Sequence, residues 1–108
     1  KESNKKWASS APILMLTVVK TYFKKDSSKN KHAYHDLGLA MGNFSYQATR
    51  IGVSLHQMAG FNAQMASDLF NLPEGYEPVT MVALGYSDEK KAERSRRPIE
   101  EFVFEEAF

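Results

Sequence analysis

Residues 33–52, AYHDLGLAMGNFSYQATRIG, constrain the fold more than any other stretch. Leu37, Met41, Phe44, Ala48 and Ile51 recur at three- and four-residue spacing, which marks one apolar face of a helix. Gly52 follows where a helix-ending glycine is expected. Much of the rest of this helix is small or apolar too. Ala40, Gly42, Ser45 and Ala48 are small, and Leu39 and Tyr46 lie off the main stripe. A helix that is apolar or small on most sides needs cover on most sides, and a chain of 108 residues has little core to supply it. Either the helix is central to its own core, with Gly42 merely tolerated, or its outer side meets another subunit. The pattern leaves both open.

Strand-like segments flank the helix. SAPILMLTVV (residues 10–19) is a continuous apolar run, and its length, with Pro12 near the start, favours a buried strand. VSLHQM (53–58) alternates weakly and reads as a short strand. Asn62 is placed to cap a short helix, AQMASDLF, with Met65 and Leu69 expected on its inner face. LPEGYEP is a turn, and VTMVALGY (79–86) is another buried strand. The expected order is β-α-β-α-β followed by a tail, within one small domain. The tail carries Ile99, Phe102, Val103, Phe104 and Phe108, so it should pack on this core or on a neighbour's.

Several chemistries drop out. There is no cysteine, which excludes disulfides, thiolate metal sites and a cysteine nucleophile, and fits a reducing compartment. The longest apolar run is too short to span a bilayer, and a net charge of +1 gives no reason to expect nucleic acid. His32 and His35 could share a helical face, but Asp36 is the only nearby carboxylate and no HExxH pattern is present, so they read as solvated. His56 reads as a packed residue rather than a base. No GxSxG elbow surrounds Ser9 and Ser10, and there is neither a Walker A nor a GxGxxG motif.

Two short segments hold more interest. In ERSRRP, Arg94, Arg96 and Arg97 precede Pro98, and Arg is well shaped to grip phosphate. On an extended chain Arg94 and Arg96 point to the same side. Taken alone, the segment is a solvated loop diluted by Asp88, Glu89 and Glu93. In QMAGFN, the small residues Ala59 and Gly60 let a ligand approach the backbone. Taken alone, this is an ordinary strand-to-helix turn.

In their order and spacing, YHDLGLAMGNFSYQATRIGVSLHQMAGFN, LPEGYEPVTMVALGY and RSRRPIEEFVF resemble the C-terminal half of the nitroreductase family, the FMN-dependent NAD(P)H oxidoreductases. The resemblance runs from WASSAPILMLTVV to RRPIEEFVF. It implies an α+β fold with a mixed, mainly antiparallel sheet flanked by helices, in an intertwined homodimer with FMN at the interface. It implies that hydride passes from NAD(P)H through flavin N5 to a nitroaromatic, quinone or similar small acceptor, in the cytoplasm, with neither nucleic acid nor a membrane as partner. The alternative is a non-catalytic flavin-binding or dimeric interaction protein of the same fold.

The resemblance also assigns residues. A backbone N–H of Ala59 or Gly60 would bond N5, with Gln57 and Met58 beside the ring. Arg96, then Arg94, would bind the FMN phosphate, and Arg97 would face solvent. Some relatives carry Glu where this chain has Ala59, a change that bears on substrate contacts more than on a backbone donor. No residue of this segment is needed as an acid or base, and no metal is implied. The tail resembles a segment that adds a strand to the partner's sheet. Residues 1–108 then correspond to the C-terminal portion of a single domain lacking its N-terminal half, and Lys1, not a Met, is expected to be an internal position.

Overall fold

A computed structural model describes residues 2–87 and 93–104. The elements are α1 (Glu2–Ala8), β1 (Ile13–Lys20), α2 (Ala33–Arg50), β2 (Ser54–Met58), α3 (Ala63–Leu69) and β3 (Tyr76–Gly85), followed by a 3₁₀ turn at Ile99–Glu101. The strands and both helices read from the sequence are present, but β1 is not buried along its length: Ile13 and Leu14 are 57% and 45% exposed, because β1 lies at the edge of the described sheet. The order differs by one element, α1, which the polar stretch KESNKKW does not announce.

The described strands form one antiparallel sheet in the order β1-β3-β2. β3 is the last strand in the chain and the central one in space. Leu84 is paired with Ile13 on one side and Leu55 on the other. β2 covers only Met81–Gly85 of it, so Tyr76–Thr80 pairs with β1 alone. That one-sided pairing leaves room for Pro78, which has no N–H to donate. Register slips here: Thr17 faces Thr80 and Val18 faces Pro78, so Val79 is an extra residue on β3. The Thr17 hydroxyl bridges the irregularity. Thr80 N–H donates to its oxygen at 2.9 Å, and it lies 2.8 Å from the Thr80 hydroxyl.

The pleat sends alternate residues of β3 to opposite faces. Val82 and Leu84 pack with Met41 of α2, with Met15, Leu37, Val53 and Leu55 around them. Ala83 packs on the other face with Met58 and Ala8 of α1. The sheet is therefore a layer between α2 and α1, and Val82 is completely buried in it.

α2 buries Ala33, Met41 and Ala48 and half-buries Leu37 and Ser45, a stripe one helical face wide. Phe44 and Ile51, expected on that face, lie at its exposed margin. The helix ends as the sequence reading requires. Gly52 has φ of 79°, its N–H donates to Thr49 O, and Val53 N–H reaches back to Ala48 O at 2.9 Å. This is a Schellman closure, with Val53 then joining the core. A Cβ at Gly52 would meet nothing within 4 Å, so substitution there tests the backbone alone. Gly52→Ala is expected to lower stability by about 1–2 kcal/mol, read as a lower urea midpoint at unchanged slope.

α3 is capped by Asn62, whose side chain accepts from Met65 N–H at 2.9 Å. Its orientation overturns an expectation. Met65 and Leu69 are 65% and 73% exposed, while the small residues Ala66 and Ser67 are half-buried. A seven-residue helix shows too little of its period to settle which face turns inward, and here its small side does.

The tail does not join this core: Ile99, Phe102, Val103 and Phe104 are all exposed. Asp88 and Glu89 of the charged loop and Phe108 of the tail lie outside the described residues.

Candidate functional site

The turn after β2 is built by its neighbours. Along β2, Leu55 packs on the α2 side and Met58 on the α1 side. Gln57 stands on the α2 side, its amide 3.5 Å from the Ser45 hydroxyl, while Met58 is buried with Ala8 and Ala83. These adjacent site candidates therefore face opposite sides of the sheet. The chain then leaves the ladder. Ala59 is exposed and its carbonyl accepts from Phe61 N–H at 3.0 Å. Gly60 is half-buried and its carbonyl accepts from the Asn4 side-chain amide at 3.3 Å. Both carbonyls are engaged by the protein, which sets the peptide planes of the turn before α3 begins. Gly60 is not among the glycines with positive φ, so its use here rests on small size rather than on a left-handed backbone.

α1 links this turn to a second feature. One helical turn after Asn4, the Trp7 ring meets His56 edge-on, with centroids 4.9 Å apart and planes at 83°. His56 is thus an aromatic packing partner, as expected of it. A cleft of about 880 Å³ opens beside this pair, where β2 begins and β3 ends, and its lining includes Trp7, Pro12, His56, Gly85, Tyr86 and Arg94. A Cβ on Gly85 would come within 3.0 Å of the Pro12 ring, so the floor at this point tolerates little beyond hydrogen. The cleft combines flat aromatic walls with one guanidinium, a surface suited to a planar or phosphorylated ligand.

The arginines part company. Arg94 lines the cleft. Arg96 does not, and its guanidinium donates to the neighbouring Ser95 carbonyl at 3.3 Å. Arg97 turns to the tail, 3.8 Å from the Glu101 carboxylate and over the Phe102 ring. Gln57, Met58, Ala59 and Gly60 lie outside the cleft lining, at the far end of β2. The candidates therefore form two groups at the two ends of one strand, spanned by α1. Asn4, Trp7 and the cleft role of His56 had no signal beyond the three-residue spacing of Asn4 and Trp7.

The displaced titrations lie elsewhere. The Tyr34 hydroxyl donates to Glu77 at 2.5 Å, and holding that proton raises its pKa. Asp26 is lowered by hydrogen bonds from the Ser28 hydroxyl and N–H. Among the described residues no group of three His, Cys, Asp or Glu could hold a metal ion, and His35 instead contacts Asp36 at 3.2 Å. No described helix is long and apolar enough to cross a membrane. The site thus offers a turn of small residues, aromatic walls and one guanidinium. That donor set suits a bound group that brings its own reactivity.

Comparison with known proteins gives consistent results. The model of the nitroreductase family matches residues 1–86. An uncharacterized 15.4 kDa protein in the ask 5′ region of Mycolicibacterium smegmatis is 33% identical over 88 residues, covering 76% of this chain and 59% of that protein. The crystal structure of an oxidoreductase containing FMN superposes with a TM-score of 0.90 at 22% identity, covering 99% of this chain and 61% of the other. A nitroreductase family protein from Streptococcus pneumoniae TIGR4 superposes at 0.78 with 18% identity, covering 96% of this chain and 69% of its own. The chain thus spans about three fifths of the length of the first two.

Proposed function

This chain belongs to the nitroreductase family, and from that premise we infer that the protein containing it is an FMN-dependent oxidoreductase. The observation that carries the reading is the turn after β2. Small residues stand at 59 and 60, and the carbonyls of both are held by protein donors. A backbone N–H of Ala59 or Gly60 then serves as the donor toward flavin N5. Gln57 and Met58 frame the turn from the two faces of the sheet. Arg94 serves the phosphate from the cleft, and Arg96 joins it from the same loop.

When bound, FMN would supply the redox chemistry, hydride transfer between NAD(P)H and a nitroaromatic, quinone or similar small acceptor. The residues here bind and orient. The Gly60 N–H shares a peptide with the Ala59 carbonyl, which accepts from Phe61 N–H, so that donor would meet a bound flavin with its plane already set.

The homodimer belongs to the same reading. On the side of α2 away from the sheet, Leu39 and Tyr46 are 61% and 72% exposed, and a Cβ at Gly38 or Gly42 would meet nothing within 4 Å. A second copy covers that surface, and the exposed phenylalanines of the tail reach across to it.

The test is a visible absorption spectrum of the purified full-length protein, followed by anaerobic additions of NADH and NADPH. A flavin spectrum that bleaches with either nucleotide is the expected result. A bound flavin that stays oxidised would favour the non-catalytic alternative. A protein that takes up no FMN would remove the reading altogether.

A further inference from the structure

The connection from β1 to α2 concentrates charge. The whole chain has 14 cationic and 13 anionic side chains. Five of the cations, Lys20, Lys24, Lys25, Lys29 and Lys31, lie between residues 20 and 32 with Asp26 as the single anion. That segment is net +4, and the rest of the chain is net −3.

The segment is an ordered lobe. A bridge pairs Tyr22 with Lys29, Phe23 N–H donates to Ser28 O, and Asn30 N–H donates to Thr21 O at 2.7 Å. The lobe holds its charges without neutralising them. None of the five lysines forms an ion pair with a described residue; Lys20 instead sits 5.7 Å over the Tyr76 ring. The carboxylates nearby are otherwise engaged or outnumbered. Asp26 accepts from Ser28, Glu77 accepts from Tyr34, and Asp36 contacts His35. Glu74 borders a hollow it shares with Lys20, Tyr22, Phe23 and Lys24. Tyr22 and Phe23 are 49% and 46% exposed beside the lysines.

Five like charges on one short segment give it a positive local potential that an external anion would offset. Lysines interleaved with half-exposed aromatics suit a headgroup layer, where the stems and rings lie shallow and the ammonium groups meet phosphate. We propose that the Lys20–Lys31 lobe docks the protein on an anionic lipid surface, as a peripheral contact with no membrane-spanning segment. The proposal goes beyond the flavin reading and does not depend on it.

Co-sedimentation of the full-length protein with phosphatidylcholine vesicles, with and without phosphatidylserine, tests it. Binding is expected only with phosphatidylserine and should fade as salt is raised from 0.1 to 0.5 M. The combined substitution Lys24→Gln, Lys25→Gln and Lys29→Gln should weaken binding roughly a hundredfold, from the usual contribution of each lysine near such a surface. The same three positions changed to Arg should retain it, which separates loss of charge from loss of fold. No binding, equal binding to both vesicles, or an unaffected Gln variant would overturn the proposal. So would displacement from vesicles by a short oligothymidylate at stoichiometric amounts, which would identify the lobe as a nucleic-acid surface instead.

Discussion

Val82→Asp is expected to leave the protein unable to hold its native fold, with loss of soluble protein on expression and no cooperative urea transition. Val82 is fully buried on the central strand, packed with Met41 and Leu84. Its neighbours in the cluster are Met15, Leu37, Val53 and Leu55, none of which offers a side-chain partner to a carboxylate. An unpaired charge there would cost several kcal/mol, and even the protonated acid would bury an unsatisfied hydroxyl. Domains are commonly stable by only about 5–15 kcal/mol, so one such cost takes much of the margin. Val82→Ala separates packing from polarity. It removes apolar volume without adding a polar atom, and about 2 kcal/mol is expected from the usual cost of deleting buried methyl groups. If Val82→Asp melted like the parent, the layer between α1 and α2 would not be the core.

Arg94→Gln is expected to weaken FMN binding by the full-length protein roughly thirtyfold, measured by quenching of flavin fluorescence on titration. The magnitude follows from losing a hydrogen bond to a charged group, about 1.5–3 kcal/mol. Gln keeps much of the stem and removes the charge. Arg94 lines the cleft beside Trp7 and His56, whereas Arg96 donates to the Ser95 carbonyl outside it. Arg96→Gln measured in parallel shows whether the loop brings a second guanidinium to the phosphate. An Arg94→Gln protein that holds FMN as tightly as the parent would remove the cleft from the cofactor site. The lipid docking of the lysine lobe should be untouched by either change.

The resemblance ranks Arg96 ahead of Arg94, and the fold brings Arg94 to the cleft. On an extended segment the two share a side, but the path of the loop decides which one meets the sheet. Gln57 and Met58 teach a related lesson. Adjacent in sequence, they are separated by the pleat, so one reaches toward Ser45 and the other is buried by α1.

What the sequence alone determined is what local chemistry can specify. The α2 stripe through Leu37, Met41 and Ala48, the left-handed closure at Gly52, the Asn62 cap and the apolar runs of β1 and β3 are all present. Each depends on residues within a few positions of one another, where sterics, capping and periodicity act directly. Family membership was legible for the same reason, since it is an order of such local pieces.

Tertiary structure decided the rest. α1 has no apolar periodicity, and it is positioned through distant partners: Ala8 under Met58 and Ala83, Trp7 on His56, and Asn4 on the Gly60 carbonyl. α3 turned its small side inward and left Met65 and Leu69 exposed. β3 became the central strand although it comes last. The two groups of candidate residues lie at the two ends of β2. These outcomes rest on contacts between segments far apart in the chain. Their free energies appear only when the segments are packed together, so no local pattern encodes them.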